Sequence, residues 1–306
     1  MKVLIVANHN TGNFTPFVVE QADALKHIGI DVDFYGVHGK GFRGYLSNRS
    51  TLISKIREYH PDLIHAHYGL SGLLANLQRT VPVVTTYHGS DIHSKGLNLF
   101  LSRFSIRLSA FNIFVSPDLF SIAGTGGSGH CVLPCGIDVE TFVPIERSVA
   151  RKKLAWDFDK KYVLFAGAFA NPVKNSPLAK EAAALIPGAE LVELRGFNRE
   201  QVNLAMNAAN CLLLTSHREG SPQVIKEAMA CGTPIVSVDV GDVKELTTGI
   251  EGCFITSYDI NDVVRNLYHA LSLDDKILSR ERLFQRMLTN HQIAEKIRAI
   301  YQEILS

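Results

Sequence analysis

Ser216-His217-Arg218-Glu219-Gly220-Ser221-Pro222-Gln223-Val224-Ile225-Lys226-Glu227-Ala228-Met229-Ala230-Cys231-Gly232-Thr233-Pro234 is the stretch on which the reading of this chain turns. The apolar run Cys211-Leu212-Leu213-Leu214 ahead of it has the length and type of a buried parallel strand. Turn residues follow. Ser221 suits a helix cap and Pro222 the first helical position. Ala228, Met229 and Ala230 are good helix formers, Gly232 stops the helix, and Pro234-Ile235-Val236-Ser237-Val238 reads as the next strand. Glu219 then lies in a loop and Glu227 one to two turns into a helix. A helix N-terminus attracts phosphate through its N–H groups and its dipole. Gly220 lets a ligand come close to the backbone. Carboxylates accept hydrogen bonds from sugar hydroxyls. One carboxylate before the helix and one along it can hold hydroxyls on either side of a diphosphate, which describes a nucleotide-sugar site. The same spacing also fits a solvated Glu219 and a surface Glu227 on an ordinary helix, because Glu is favoured near helix starts anyway.

The pattern E-G-S-P-x4-E-A-M-A-C-G-T-P-I-V, from Glu219 to Val236, resembles the donor-site signature of retaining glycosyltransferases of the GT-B fold, glycosyltransferase family 4 (glycosyl transferases group 1). The likeness continues through Gly241-Asp242-Val243-Lys244-Glu245. It also takes in Leu133-Pro134-Cys135-Gly136-Ile137-Asp138 with Phe142 and Pro144, which is similar to the family's interdomain segment. It covers most of the chain and is strongest from 131 to 246. The resemblance implies an α/β chain of the GT-B fold, with two Rossmann-like domains whose parallel sheets face a central cleft. It implies retaining transfer of a sugar from a nucleotide-diphosphate sugar to an acceptor hydroxyl, in polysaccharide or glycoconjugate assembly. The leaving phosphate helps take the acceptor's proton. Neither a metal nor a cofactor beyond the donor is implied. A nucleotide-sugar epimerase of related fold and a non-catalytic nucleotide-sugar-binding protein are the alternatives.

The whole chain sets bounds. Its 306 residues suggest two domains, and 46% hydrophobic content is enough for sizeable cores. Basic residues number 31 and acidic residues 30, so no global basic field argues for nucleic acid. No window nears the 18 or so apolar residues of a membrane-spanning helix. The start, Met1 to Asn10, reads as a first strand rather than a signal peptide. Five cysteines, at 131, 135, 211, 231 and 253, read as reduced residues of a cytoplasmic protein. Cys131-x3-Cys135 is half a zinc pattern without an evident second half.

Apolar runs alternate with amphipathic stretches throughout, the pattern of parallel sheets covered by helices. Strands are expected at 2–7, 31–36, 62–65, 82–86, 111–115 and 130–133, with helices at 16–28, 50–59, 70–79, 97–108 and 117–123. The second half restarts at Tyr162, with strands at 189–194, 211–215, 234–238 and 252–255 and helices at 176–186, 198–208, 222–231 and 259–271. A last helical stretch at about 274–304 has a break expected near Thr289-Asn290. The expected division is 1–145, an acceptor-side domain, then 146–285, a nucleotide-sugar domain, then 286–306, a helix crossing back to the first domain.

Open parallel sheets bind ligands beyond the carboxyl ends of their strands. Each expected domain offers one such edge. In the first half, Gly12 allows a tight loop after the first strand and matches the family's glycine-containing loop, though the usual double glycine is missing. Histidines cluster at 60, 65, 67, 88 and 93. His65 and His67 share a strand face, so a metal is conceivable, but no carboxylate completes a ligand set. Structural or acceptor-facing roles suit them better. Val83 to Asp91 is similar to the family's V-x-T-x-H-G-[ST]-D segment. By that resemblance His88 faces the transferred sugar and Asp91 stands on the acceptor side. A structural His88 is the alternative, and Asp91 can equally cap a turn. Lys40 to Arg57 carries five cations and no acid, which fits peripheral contact with the inner face of a membrane or with a lipid-linked acceptor, or simply a solvated surface.

In the second half, Gly167 ends a strand and Lys174 follows it, placed to neutralise a leaving diphosphate. The family's arginine is replaced here by Ala168. Arg195, at the end of a later strand, is expected near the base or phosphate or else on an ordinary surface. The resemblance assigns catalysis to His88, Lys174 and Glu219. It assigns donor binding to Gly12, Gly167, Lys174, Arg195, Glu219, Gly220, Ser221, Pro222 and Glu227. His65, His67 and Asp91 fall on the acceptor side.

Overall fold

The computed structural model describes residues 1–94, 96–124, 129–274 and 276–306. They form two compact units, Met1–Gly136 with Asn290–Ser306, and Ile137–Thr289.

The first unit runs β1 (Lys2–Asn8), α1 (Pro16–His27), β2 (Asp31–Val37), α2 (Gly41–Leu46), α3 (Arg49–Tyr59), β3 (Leu63–His67), α4 (Gly69–Asn76), β4 (Val83–Tyr87), α5 (Leu97–Leu108), β5 (Phe111–Phe114), α6 (Pro117–Ala123) and β6 (His130–Val132). The strands pair in parallel in the order β2-β1-β3-β4-β5-β6. Val3 to Val6 are fully buried, as strands covered on both faces must be. The second unit runs α7 (Arg147–Leu154), β7 (Lys161–Phe165), α8 (Ser176–Ala184), β8 (Ala189–Glu193), α9 (Arg199–Ala208), β9 (Cys211–Leu214), α10 (Gln223–Cys231), β10 (Ile235–Val238), α11 (Val243–Thr247), β11 (Cys253–Thr256), α12 (Ile260–Leu271) and α13 (Arg280–Gln285). Its parallel order is β11-β10-β9-β7-β8. Val163, Phe165, Cys211, Leu213 and Val236 pack there against Ala179, Val263 and Leu267 of the covering helices. The last helix, α14 (Asn290–Leu305), returns to the first unit and packs along α1.

Both sheets begin the same way. The first strand lies between the second and the third, so the chain reverses its direction of travel across the sheet between β1 and β3, and again between β7 and β9. Ligand crevices form at such reversals.

The structure refines several expectations. The division falls at Gly136/Ile137 instead of after residue 145. The cause is local: Phe142 is fully buried, and Arg280 donates to the carbonyls of Val139, Phe142 and Ala230, binding 137–145 to the second unit. The expected stretch 274–304 becomes α13 and α14, separated by a turn with Met287 at φ +54°. Asp275, within that stretch, lies outside the described residues. Short helices α2, α7 and α11 were not expected. Ser221 does not cap α10. Pro222 takes the cap position and no side chain caps this helix, because the Ser221 hydroxyl donates instead to Asp242 Oδ2 at 2.6 Å.

Candidate functional site

In the second unit, the loops after β7 and β9 meet at the reversal point. The Thr215 hydroxyl, just past β9, donates to the carbonyls of Lys174 and Asn175 at 2.9 and 3.1 Å. The His217 N–H reaches the Val173 carbonyl at 2.9 Å. Lys174 ends a short 3₁₀ turn, Pro172–Lys174, capped by Asn171. Its stem crosses the face of Gly167, where an added Cβ would lie 2.9 Å from Lys174 Cγ. Any larger residue at 167 would push the lysine aside. So directed, Lys174 Nζ donates to Glu219 Oε1 at 2.6 Å, with both side chains about four-fifths buried. The sequence placed these two residues in one site, and the structure joins them directly.

Glu227 is buried on α10, and Arg199 Nη1 donates to its Oε1 at 2.6 Å. The Arg199 guanidinium lies over the Phe142 ring, 4.5 Å from its centroid. Sequence reading missed Arg199. A signal was present: Asn198 and Gln201 form a capping box, which fixes Arg199 as the first residue of α9. The loop holding Gly220 is backed by Gly241, at φ +58°, where a Cβ would come within 2.4 Å of the Gly220 carbonyl oxygen. Only glycine fits both that backbone and that gap. Asp242 beside it is pushed up by burial, opposed by the nearby Lys226 charge and the Ser221 hydroxyl. Arg195 is exposed beyond β8, and among the described residues the structure joins it to neither ion pair.

The first unit's edge is built differently. His65 is fully buried, its Nε2 2.7 Å from Thr86 Oγ1 and its Nδ1 2.5 Å from the Tyr301 hydroxyl of α14. His67 stacks on it with ring centroids 4.7 Å apart, and is also fully buried. Burial drives His65 well below the ordinary histidine range and His67 down to about 3. Both rings are therefore neutral, and the structure puts neither at a surface where an acceptor could touch it. His67 Nδ1 meets His88 Nε2 at 3.0 Å. Half-buried His88 is flanked by Phe17 and Tyr68, each with a ring centroid 4.7 Å away. The Asp91 carboxylate accepts from the N–H groups of Gly69, Gly89 and Ile92 at 3.0–3.1 Å, tying the β3 and β4 loops together. Burial raises its carboxyl despite those donors. Tyr68 holds φ +73°, a strained value without a glycine, of the kind that collects at binding edges. A cavity of about 360 Å³ opens there, with Asn8, Tyr45, Tyr68, Asp91, Asn98 and Ser102 among its lining. Gly12, at φ +82°, is exposed in the loop after β1. The cations of 40–57 spread over α2 and α3, and Lys55 pairs with Asp33 at 2.6 Å.

Two parallel α/β sheets, each with its polar residues at the carboxyl edge, define the GT-B class of fold. Solved structures share it. Sucrose-phosphate synthase from Thermosynechococcus elongatus superposes with a TM-score of 0.85 at 18% identity, over 99% of each chain. Anabaena Alr3699/HepE in complex with UDP-glucose gives 0.75 at 18% identity, over 99% of this chain and 100% of that one. Residues 2–141 match Glycosyltransferase Family 4 and residues 160–272 match Glycosyl transferases group 1, and the chain belongs to this glycosyltransferase family. Among curated relatives, D-inositol 3-phosphate glycosyltransferase of Mycolicibacterium smegmatis is 26% identical over 268 residues, covering 72% of this chain and 62% of the relative. The putative teichuronic acid biosynthesis glycosyltransferase TuaC of Bacillus subtilis is 27% identical over 221 residues, covering 63% of this chain and 57% of the relative. The chain spans about three fifths of the length of these relatives.

Proposed function

We propose that this chain transfers a sugar, with retention, from a nucleotide-diphosphate sugar to an acceptor hydroxyl in polysaccharide or glycoconjugate assembly. The observation that carries the reading is the Lys174–Glu219 pair at 2.6 Å, set at the reversal point beside the start of α10. A cation and a hydroxyl acceptor side by side suit a diphosphate and the sugar attached to it. The start of α10, free of any side-chain cap, receives the phosphates, and Gly220 lets them approach. Glu227, held by Arg199, accepts the nucleoside's hydroxyls. Solved structures of the same fold hold UDP and UDP-glucose, which supports a nucleotide-sugar donor.

Lys174 gains strength as charge develops on the leaving phosphate, and that phosphate takes the acceptor's proton, so the residues need only bind and orient. His88 orients the sugar as a hydrogen-bonding ring. The acceptor is a carbohydrate or a lipid-linked sugar, met at the cytoplasmic face of a membrane. Among the described residues no helix is long and apolar enough to cross one. Ala168, which leaves the loop after β7 with one cation fewer than the family pattern, favours a second reading: a donor-binding protein that does not transfer.

A thermal-shift screen against nucleotide sugars, followed by transfer assays with the stabilising donor, tests both readings. Transfer to an added acceptor supports the enzyme. Binding without transfer or hydrolysis supports the sensor, and rapid epimer formation without acceptor supports an epimerase.

A further inference from the structure

Helix α5 presents an outer apolar face that stays exposed among the described residues. Leu97, Phe100 and Phe104 are 64%, 62% and 42% exposed, and they fall on one side at helical spacing. The opposite side, Leu101, Ser102, Ser105 and Ile106, is buried. Arg103 and Arg107 share the outer face. Arg103 is partly engaged, donating to the carbonyls of Ile122 and Ala123 at 3.2 Å each. From Ile92 to Pro117 the sequence holds no Asp or Glu. Two aromatic rings and a leucine beside two arginines, without an acid in the segment, suit the boundary of an anionic bilayer. Rings and leucine enter the acyl edge, while the long arginine stems reach lipid phosphates.

A neighbouring element carries the same charge. Lys40 and Arg43, on and just before α2, are exposed, and α2 shares with α5 the lining of the 360 Å³ cavity, through Tyr45 on one side and Asn98 and Ser102 on the other. The cations of 40–57 come with less apolar surface, since Leu46 is exposed but Phe42 is half-buried and Tyr45 is buried.

We propose that α5 seats on an anionic lipid bilayer through Leu97, Phe100 and Phe104, with Arg107 and the α2 cations as its electrostatic partners. The proposal concerns where the transferase reading meets its acceptor, but it does not require that reading. Its test needs no donor and no turnover.

Flotation of the purified protein with vesicles of phosphatidylglycerol and phosphatidylcholine, against pure phosphatidylcholine, is the experiment. Wild type should float with the anionic vesicles and much less with the neutral ones. Phe100→Asp/Phe104→Asp should lower the anionic partition at least tenfold at an unchanged melting temperature, and Phe100→Ser/Phe104→Ser should lower it without adding charge. Arg107→Ala should cost about fivefold on anionic vesicles and nothing on neutral ones, with the difference shrinking at high salt. No flotation of wild type, or flotation of both double variants equal to that of wild type, overturns the proposal. A dimer in sedimentation equilibrium that the double variants abolish also overturns it, assigning the face to a second copy of the chain.

Discussion

The two sheet edges start from one strand order and solve opposite electrostatic problems. The second unit's edge is ionic: Lys174 meets Glu219 and Arg199 meets Glu227, each at 2.6 Å. The first unit's edge rests instead on a neutral histidine pair. Its His65 and His67 are stripped of charge by burial, and His67 stacks on His88 and meets it at 3.0 Å. Cation–carboxylate pairs can open to receive a diphosphate and its hydroxyls, whereas neutral rings give shape without attracting an anion. The same strand order thus carries ion pairs at one edge and stacked histidines at the other.

The sharpest way to break this contrast is to remove the ionic side's cation. Lys174→Ala should lower turnover by about two orders of magnitude, the loss typical of one electrostatic stabiliser at a reacting centre. Steady-state kinetics with a confirmed donor measures it. Near wild-type turnover would move the phosphate to another cation, with Arg218 the next to try.

The neutral side should show itself in acid. Unfolded, His67 takes a proton near the ordinary histidine value of 6.5; folded, it resists until about 3. The unfolded chain therefore binds more protons between those values, and stability falls as pH drops through that window. From pH 7 to pH 5 the loss from His67 is on the order of 2 kcal/mol. Urea midpoints at the two pH values should differ in wild type and differ less in His67→Gln, in which every other titrating group is kept. An equal slope in both proteins would mean that His67 is not held neutral.

A smaller effect separates the two ionic pairs. Glu227→Ala should weaken binding of the nucleoside diphosphate about tenfold, and Arg199→Ala should do much the same, since Arg199 orients that carboxylate. Glu219→Ala should leave the nucleoside diphosphate nearly untouched and weaken the intact nucleotide sugar. Calorimetry with both ligands decides it. Unchanged affinities throughout would remove both glutamates from the donor site.

Most of the fold was legible because buried parallel strands are continuous apolar runs and turn residues mark their ends. The short helices were not: α2 contains two glycines in six residues, and α7 hid in a charged stretch read as a boundary. At the candidate site, local patterns singled out Glu219, Glu227, Lys174 and His88, and the structure sets Lys174 against Glu219 and buries Glu227. They missed Arg199 because its partner lies 28 residues on, in another helix. They left His65 and His67 between structural and acceptor-facing roles, because strand alternation gives the shared face but not what covers it. The cover is Tyr301, 236 residues away.

That tyrosine also orders events on the ribosome. The second unit is one continuous segment, whereas the first needs 290–306 to fill its interior. Tyr301 is fully buried and bonded to His65 at the centre of the first sheet. Domains close as their residues emerge, so the half synthesised first is the half completed last. Arrested nascent chains with residues up to 289 exposed should show the second unit resistant to protease and the first still cleavable. Protection of both at that length would show that α14 is dispensable for closure. Until the last turns of α14 arrive, His65 and its neighbours wait without their cover, and chaperones have their longest opportunity at the front of the chain.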